Sequence, residues 1–190
     1  FIPAGQQVAV VGATGSGKST TIASMLDHRN ANRSGHILTV EDPIEFLFKH
    51  KKSIVNQREI GMDTVDWQSA LKNAMRQAPD CILIGEIRDR ETMSAAIAYA
   101  QSGHLCLATM HANNSYQALN RILSFYPVEV RPTMLGDLAA ALRAVVSQRM
   151  KEGTVFMYHA QEKIVNTPGS EMTGNRGGIH NSVTRTTLKP

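Results

Sequence analysis

The sequence has 190 residues, which is enough for one well-packed domain and a small appendage. Its 20 Lys and Arg residues against 16 Asp and Glu residues give a formal net charge of +4, without the long basic run that would favour a nucleic-acid-binding tail. No stretch approaches the ~20 consecutive apolar residues of a membrane-spanning helix.

Apolar runs alternate with segments of helical periodicity, which predicts an α/β domain with a mainly parallel sheet flanked by helices. The first strand is predicted over 7–11, followed by a glycine-rich loop and a helix over 19–27. A second strand covers 36–40 and ends before Pro43, and residues 44–62 form a hairpin-like excursion. The basic cluster at 50–52 is a solvated face or, as the weaker alternative, a contact for nucleic acid or acidic lipid.

The middle of the chain continues the alternation. An amphipathic helix is predicted over 65–78, with a cap at Asp63 or Thr64 and apolar positions at Trp67, Ala70, Leu71, Ala74 and Met75. A short apolar strand covers 81–84, and the next helix ends at Gly103, which suits a C-cap. Cys81 and Cys106 lie inside apolar runs, so we expect buried thiols in a cytosolic protein without disulfides.

The last third of the chain changes character near residue 150. Before it, a strand is predicted over 104–111, with helices at 115–125 and 131–149. The buried stripe of the second helix is Leu135, Leu138, Leu142, Val145 and Val146. We therefore expect a core domain over 1–150 and a region over 151–190, with one more hairpin near 153–166 and an irregular, peripheral tail over 168–190.

The loop after the first strand carries the pattern G-x-x-x-x-G-K-[ST]. In this pattern backbone N–H groups surround phosphate oxygens, the Lys18 ammonium reaches the outer phosphates and the Ser19 hydroxyl ligates Mg²⁺. The alternative is a flexible turn that binds no ligand. The loop, however, follows a predicted strand and precedes a predicted helix, as a nucleoside triphosphate site requires. The candidate phosphate-binding residues are Gly12, Ala13, Thr14, Gly15, Ser16, Gly17, Lys18, Ser19 and Thr20.

Polar side chains follow the other strands. Ligands of open parallel sheets bind beyond the carboxyl ends of the strands, so Glu41, Glu86 and His111 are expected to meet the loop. One glutamate would activate water and the other would hold Mg²⁺, although each could instead cap the following helix. Gly85 stands where many such enzymes carry an aspartate, so the metal role falls on Glu86.

The histidines and arginines near these strands have weaker assignments. His104 begins its strand and is structural by position, whereas His111 ends it and can contact the terminal phosphate. Arg76, Arg88 and Arg90 flank the third strand, where they are either solvated or stabilise transition-state charge.

Together these stretches resemble the type II/type IV secretion ATPase superfamily. Within it they resemble the PilT/PilU-type retraction ATPases of type IV pili, and their residues are nearer those of PilU than those of PilT. The stretches are GATGSGKST (12–20), TVEDPIEF (39–46), KKSIVNQREIG (51–61), LKNAMRQAPD (71–80), ILIGEIRDRET (82–92), GHLCLATMHANNS (103–115) and RAVVSQRM (143–150). The resemblance covers residues 1 to about 150.

The resemblance implies a RecA-like P-loop core that binds and hydrolyses ATP with Mg²⁺ in a twitching-motility motor. It makes Ser19 and Glu86 metal ligands, Glu41 the base, and His104 and His111 a catalytic pair. It also implies a cytoplasmic homo-hexamer at the inner-membrane face, with a platform protein and, as a candidate, a sister retraction ATPase as partners, and no direct nucleic acid.

The resemblance also sets expectations about extent. The family has an N-terminal domain that donates arginines to a neighbour's site, and nothing precedes Phe1, so we expect a piece of a longer protein. The alternatives are a nucleotide-binding fragment without motor activity, a type II secretion or pilus assembly ATPase, and a nucleic-acid translocase, which should show a stronger basic stripe.

Overall fold

The computed structural model describes residues 7–151, 154–160 and 183–185, with side chains for 7–149. The strands are β1 (Gln7–Gly12), β2 (Gly35–Glu41), β3 (Ser53–Glu59), β4 (Cys81–Ile84), β5 (Leu105–Met110), β6 (Leu142–Lys151), β7 (Thr154–Ala160) and β8 (Val183–Arg185). The helices are α1 (Lys18–Asn32), α2 (Trp67–Met75), α3 (Arg90–Gln101), α4 (Ser115–Ser124) and α5 (Arg131–Ala141), with a 3₁₀ turn at Val128–Val130.

The described strands form one sheet in the order β3-β2-β4-β5-β1-β6-β7-β8. The first six strands in that order are parallel, and β7 and β8 are antiparallel additions at one edge. The predicted parallel α/β architecture is therefore confirmed. All six parallel strands end at the same edge of the sheet, and their connecting loops meet there.

The sheet is covered on both faces, which explains why the central strands β1, β4 and β5 are buried at every position and largely apolar. Alternate residues of each strand belong to different clusters: Ala9 and Val11 pack with α2, α3, α4 and α5, whereas Val8 and Val10 pack with α1. Cys106 and Cys81 lie in opposite clusters, and each is 0% exposed. This burial raises the pKa of the Cys81 thiol to about 12, and both cysteines are small buried side chains without a disulfide, as predicted.

The predicted helix over 131–149 is wrong in its second half. Helix α5 ends at Ala141, and the chain turns at Leu142 into the strand β6, parallel to β1. Ala144 packs on the α1 face and Val145 on the opposite face, so both faces of β6 are apolar. A strand buried on both faces has no alternating pattern, and its apolar residues continued the helical spacing of α5 by coincidence. Leu135, placed in the buried stripe, is 37% exposed.

The hairpin-like excursion predicted over 44–62 is also wrong. Residues 42–52 form a crossing loop, and β3 is a parallel edge strand beside β2. The buried Asn30 of α1 holds this loop, because its Nδ2 donates to Lys49 O at 2.7 Å and its Oδ1 accepts from Lys51 N at 3.1 Å. Such a long-range contact has no local sequence signal.

Two smaller differences concern helix ends and the C-terminal region. Helix α2 covers 67–75 rather than 65–78, and its cap is Asp66, whose carboxylate accepts from Ser69 N at 2.7 Å. Residues 183–185 form the short strand β8 on β7, whereas the sequence predicted an irregular tail. The second arm of the hairpin predicted at 153–166 lies outside the described residues, and the division into 1–150 and 151–190 stays a prediction. None of the described helices is long and apolar enough to cross a membrane.

Candidate nucleotide site

The carboxyl ends of the parallel strands enclose a cleft of about 490 Å³. Its walls include Lys18 and Ser19 after β1, Glu41 after β2, Glu86 after β4 and His111 after β5. The sequence placed these side chains at one edge from the strand ends alone, and the structure brings them together.

The glycine-rich loop is shaped by residues that tolerate no side chain. Gly15 and Gly17 have φ values of 76° and 81°, a left-handed conformation that disfavours other residues. A Cβ on Gly12 would lie 2.4 Å from Ser16 Oγ and 2.5 Å from Gln148 O. Of the predicted loop residues, Gly12, Ala13 and Ser16 do not line the cleft, and Gly12 and Ser16 are buried beneath it.

Helix α1 begins at Lys18 with Gly17 at its N-cap, and no side chain caps its first N–H groups. These donors and the positive end of the helix dipole therefore face the cleft without a resident partner from a capping side chain. An anion such as a phosphate is the natural ligand for this arrangement.

The Lys18 side chain lies across the loop. Its Nζ donates to Ala13 O at 2.9 Å, and the residue is 8% exposed. Burial lowers the pKa of the Lys18 ammonium, and the charges of Glu86 and Glu45 oppose that effect. Lys18 therefore lies near the negative charges of Glu86 and Glu45, with its Nζ bonded to Ala13 O.

Glu41 is a half-buried carboxylate with two donors. Its Oε1 accepts from Thr39 Oγ1 at 2.6 Å and from Gln57 Nε2 at 3.3 Å. Burial raises the pKa of Glu41 and the charge of Glu45 also raises it, whereas hydrogen bonds from Thr39, Gln57 and the backbone of Glu45 lower it. A carboxylate held in a fixed direction with a raised pKa suits a general base.

Glu86 and His111 form the opposite wall. His111 Nε2 lies 3.5 Å from Glu86 Oε1, and His111 Nδ1 lies 3.5 Å from Thr14 Oγ1 in the glycine-rich loop. His111 therefore connects the glycine-rich loop to Glu86. A change in the position of either one would be transmitted to the other through the His111 imidazole.

His104 is not brought to the cleft. It precedes β5 and His111 follows it, and a strand of that length separates the two by about 23 Å. His104 Nδ1 instead lies 3.0 Å from Ser102 Oγ and 3.1 Å from Tyr99 O, with its ring edge-on to Tyr99. These contacts match the structural alternative, and they correct the pairing of His104 with His111 in one site.

The structure explains why position 85 carries no aspartate. Gly85 N donates to Val40 O at 2.8 Å, and a Cβ on Gly85 would lie 3.1 Å from both Val40 O and Glu41 Cα. A side chain at position 85 would therefore crowd the backbone of β2.

Glu45 is a site residue that sequence reasoning missed. It lies in the loop 42–52, and its Oε1 accepts a hydrogen bond from Ser19 Oγ at 2.8 Å. The only sequence signal was its place four residues after Glu41 in the quoted stretch TVEDPIEF, which gives no geometry.

The three arginines occupy different surroundings. Arg88 lines the cleft, with Nη1 3.7 Å from Asp42 Oδ2 and its guanidinium 5.4 Å from the centre of the Trp67 ring. Arg90 lies over Tyr126 instead, and Arg76 is exposed at the C-cap of α2. Among the described arginines, Arg88 alone lines this cleft.

The oxygen donors in the cleft fit a magnesium ion. The Ser19 hydroxyl and the carboxylates of Glu86 and Glu45 are hard oxygen ligands, which Mg²⁺ prefers, and Mg²⁺ commonly uses one or two carboxylates together with substrate phosphates. The cleft thus has oxygen ligands for a cation. In Lys18 and the loop amides it also has hydrogen-bond donors for an anion.

Comparison with known proteins gives consistent results. A Type IV pilus ATPase PilU from Pseudomonas aeruginosa is 54% identical over 143 residues, covering 75% of this chain and 37% of the relative. A Type IV pilus retraction ATPase PilT from the same organism is 45% identical over 143 residues, covering 75% of this chain and 42% of the relative. The chain thus spans about two fifths of the length of these relatives.

A crystal structure of the pilus retraction motor PilT with bound ADP matches the fold with a TM-score of 0.76 at 44% identity. The match covers 81% of this chain and 46% of that structure, which makes the fold a RecA-like core. The family model for the Type II/IV secretion system protein matches residues 4–183. With its P-loop cleft, RecA-like sheet and near-complete family match, the chain belongs to the Type II/IV secretion system protein family.

Proposed function

We propose that this chain is the ATP-binding and ATP-hydrolysing core of a type IV pilus retraction motor. The observation that carries the proposal is one cleft that holds Lys18, Glu41 and Glu86 around a P-loop, in a chain 54% identical to a PilU. The bound ADP of the related PilT structure supports an adenine nucleotide as the ligand.

Nucleotide binding falls to the glycine-rich loop and the start of α1. The free N–H groups after Gly17 hold the phosphates, and Lys18 exchanges its bond to Ala13 O for a phosphate oxygen. Because Lys18 is largely buried, its charge acts in a medium of low effective dielectric constant and therefore acts strongly.

Hydrolysis falls to Glu41. A water molecule attacks the γ-phosphorus, its proton passes to the Glu41 carboxylate, and the bond from the γ-phosphorus to the bridging oxygen of ADP breaks. Thr39 and Gln57 fix the direction of the Glu41 carboxylate, so it needs little reorientation during the reaction.

Ser19 and Glu86 would hold Mg²⁺, which supplies charge neutralisation on the phosphates when bound. His111, in contact with both Glu86 and Thr14, would report the occupancy of the phosphate site to the end of β5. His104 lies outside this cleft, and the proposal assigns it no step.

The assembly in this proposal is a homo-hexamer in the cytoplasm at the inner-membrane face. Its partners are the platform protein of the pilus and, as a candidate, a sister retraction ATPase. The support is membership in a family whose members include the pilus motors PilU and PilT. Direct nucleic-acid binding is not part of the proposal.

The function is tested by exchange into a relative. Residues 7–149 replace the matching segment of the P. aeruginosa PilU, and the chimera is assayed for ATP hydrolysis and for twitching in cells that lack their own PilU. We expect both activities, and we expect their loss with Lys18→Ala. Lys72→Ala, an exposed lysine on α2, serves as the matched control with full activity.

The alternatives give different results in the same assay. A nucleotide-binding fragment without motor activity would bind ATP in the chimera but restore no twitching. A type II secretion ATPase would restore protein secretion when exchanged into a secretion ATPase and would fail in PilU. A chimera that neither binds nor hydrolyses ATP, while folded, would contradict the proposal.

A further inference from the structure

The Ser19 hydroxyl has one proton and two lone pairs. In the structure this proton already takes part in a hydrogen bond, because Ser19 Oγ donates to Glu45 Oε1 at 2.8 Å. The lone pairs of Ser19 Oγ are then the part of the hydroxyl left to face a cation. A hydroxyl oriented in this way is a better metal ligand than one that rotates freely.

Position 85 cannot supply the same acceptor. It is a glycine, and a Cβ there would lie 3.1 Å from both Val40 O and Glu41 Cα, so a side chain at 85 would crowd the end of β2. Glu86, the next residue, lies beside His111 Nε2. Glu45 is therefore the carboxylate that contacts the P-loop serine in this chain.

The loop that carries Glu45 is held on both sides of it. Ile44 N donates to Glu59 Oε2 at 3.0 Å, Gln57 Nε2 donates to Phe46 O at 2.8 Å, and Phe48 N donates to Gln57 Oε1 at 2.9 Å. These anchors come from β3, the edge strand. The backbone at Glu45 is thus fixed relative to the sheet, although its carboxylate is exposed to the cleft.

We propose that Glu45 is a positioning residue of the metal site: it orients the Ser19 hydroxyl and adds the negative charge that the glycine at 85 does not provide. Glu45 acts through Ser19 and need not touch the nucleotide. This inference rests on the proposed function, because it concerns the metal that accompanies the nucleotide. It adds the acidic residue from the loop 42–52 to those assigned from the strand ends.

The test measures metal binding separately from turnover. Mn²⁺ affinity for the complex of the chain with ADP is measured by electron paramagnetic resonance, and ADP affinity is measured with and without metal. In Glu45→Ala we expect Mn²⁺ to bind about 10-fold more weakly, in the range found when an outer-shell partner of a metal ligand is removed. The affinity for ADP without metal should stay within about twofold of the parent value, because Glu45→Ala changes neither Lys18 nor the loop amides that bind the phosphates.

Two comparisons separate positioning from other effects. Asp42→Ala removes a carboxylate of the same cleft that contacts Arg88 and not Ser19, so a general charge effect would move both variants alike. In a Ser19→Ala background, Glu45→Ala should weaken Mn²⁺ binding less than it does in the parent, because the part of its action that passes through that hydroxyl is already lost. Glu45→Gln, which keeps an acceptor oxygen and loses the charge, should fall between the parent and Glu45→Ala.

The outcomes are distinguishable from failure of the proposed function. If the parent chain binds no ADP, the proposed function itself fails. If the parent binds Mn²⁺ with ADP but Glu45→Ala binds it equally well, the role of Glu45 is wrong and the function stands. An undiminished effect of Glu45→Ala in the Ser19→Ala background would also overturn the role. A parallel loss of metal-free ADP affinity in Glu45→Ala would show that the residue supports the loop and not the metal.

Discussion

The carboxylate of Glu41 is tuned by opposing influences, and one of them can be removed alone. Burial raises its pKa, whereas the bond from Thr39 Oγ1 stabilises the charged form and lowers it. Thr39→Val removes the donor and keeps the shape, so the pKa of Glu41 should rise further. A base must be deprotonated, so the acidic limb of the pH profile of kcat/KM should move to higher pH.

The matched control for this prediction is Thr64→Val, since Thr64 Oγ1 bonds a backbone oxygen at Asp66 and lies outside the cleft. Its profile should coincide with that of the parent. A profile of Thr39→Val that is unmoved, or that shifts to lower pH, would show that Glu41 does not govern the acidic limb.

The two strand-end glutamates should differ in their response to metal. Glu41→Gln removes the proposed base and should lower the rate of ATP hydrolysis about 10²- to 10⁴-fold while ADP and Mg²⁺ still bind. Glu86→Gln removes the proposed metal ligand and should in addition raise the Mg²⁺ concentration needed for half-maximal rate. Mg²⁺ titrations that coincide for the two variants would contradict this division of roles.

At the level of single residues, the sequence could predict what lies at strand ends and little else. Glu41, Glu86 and His111 follow from the rule that parallel strands end at one edge, and Lys18 follows from the P-loop pattern. Glu45 could not be predicted, because its contact with Ser19 depends on a loop held by distant side chains. His104 stands at the opposite edge, and only its resemblance to a family motif placed it in the site.

Strand β6 is tied to the nucleotide site by one side chain. Gln148 is 2% exposed, its Oε1 accepts from Thr21 Oγ1 of α1 at 2.8 Å, and its backbone lies against Gly12. Gln148→Ala leaves the Thr21 hydroxyl without its partner inside the protein, so we expect a loss of about 1–3 kcal/mol in the free energy of unfolding. Urea denaturation of the two proteins without nucleotide measures this loss.

The control for this element is Gln101→Ala, because Gln101 is exposed on α3 and bonds Asp137 at the surface. Its free energy of unfolding should stay within about 0.5 kcal/mol of the parent. Equal losses for the two variants would mean that the hydrogen bond between Gln148 and Thr21 contributes no more to the free energy of unfolding than a surface hydrogen bond.

The error at α5 and β6 shows which elements resist prediction. Leu138, Leu142 and Val145 keep a helical spacing across a boundary that lies at Ala141. The spacing was accidental, since a strand packed on both faces carries apolar residues on either side and shows no clean alternation. Strands β1, β2, β4 and β5 have the same character, but turn and loop residues separate each of them from the neighbouring helices.

At the scale of the whole molecule, the layered fold could be predicted from the alternation of apolar runs with segments of helical periodicity along the chain. Strands with apolar residues on both faces need cover on both faces, and the two clusters that split Val8 and Val10 from Ala9 and Val11 provide it. This requirement fixes a parallel sheet between helices before any side chain is placed. The strand order and the position of the edge strand β3 depend on long-range packing, and the sequence did not predict them.

The last prediction concerns completion of the site by another chain. Among the described residues that line the cleft, Arg88 is the one arginine, and Asp42 and Trp67 already engage it. The family resemblance implies that arginines from a neighbour's N-terminal domain stabilise the transition state, and one such residue is worth about 10³–10⁵ in rate. The chain spans only 37% of the length of its PilU relative. We therefore expect it alone to bind ATP but to hydrolyse it slowly, at a rate per chain that is independent of protein concentration.

In the PilU chimera, where the remaining segments of the relative are present, the rate per chain should rise steeply with protein concentration, because assembly then completes each cleft. Hydrolysis and mass by light scattering are measured over the same concentration series, so that the rise in rate can be matched to assembly. Arg88→Lys, in both proteins, tests the alternative that the cleft uses its own arginine. A chain that turns over at the rate of the assembled chimera, and loses that rate with Arg88→Lys, would show that residues 1–190 already contain the full catalytic machinery.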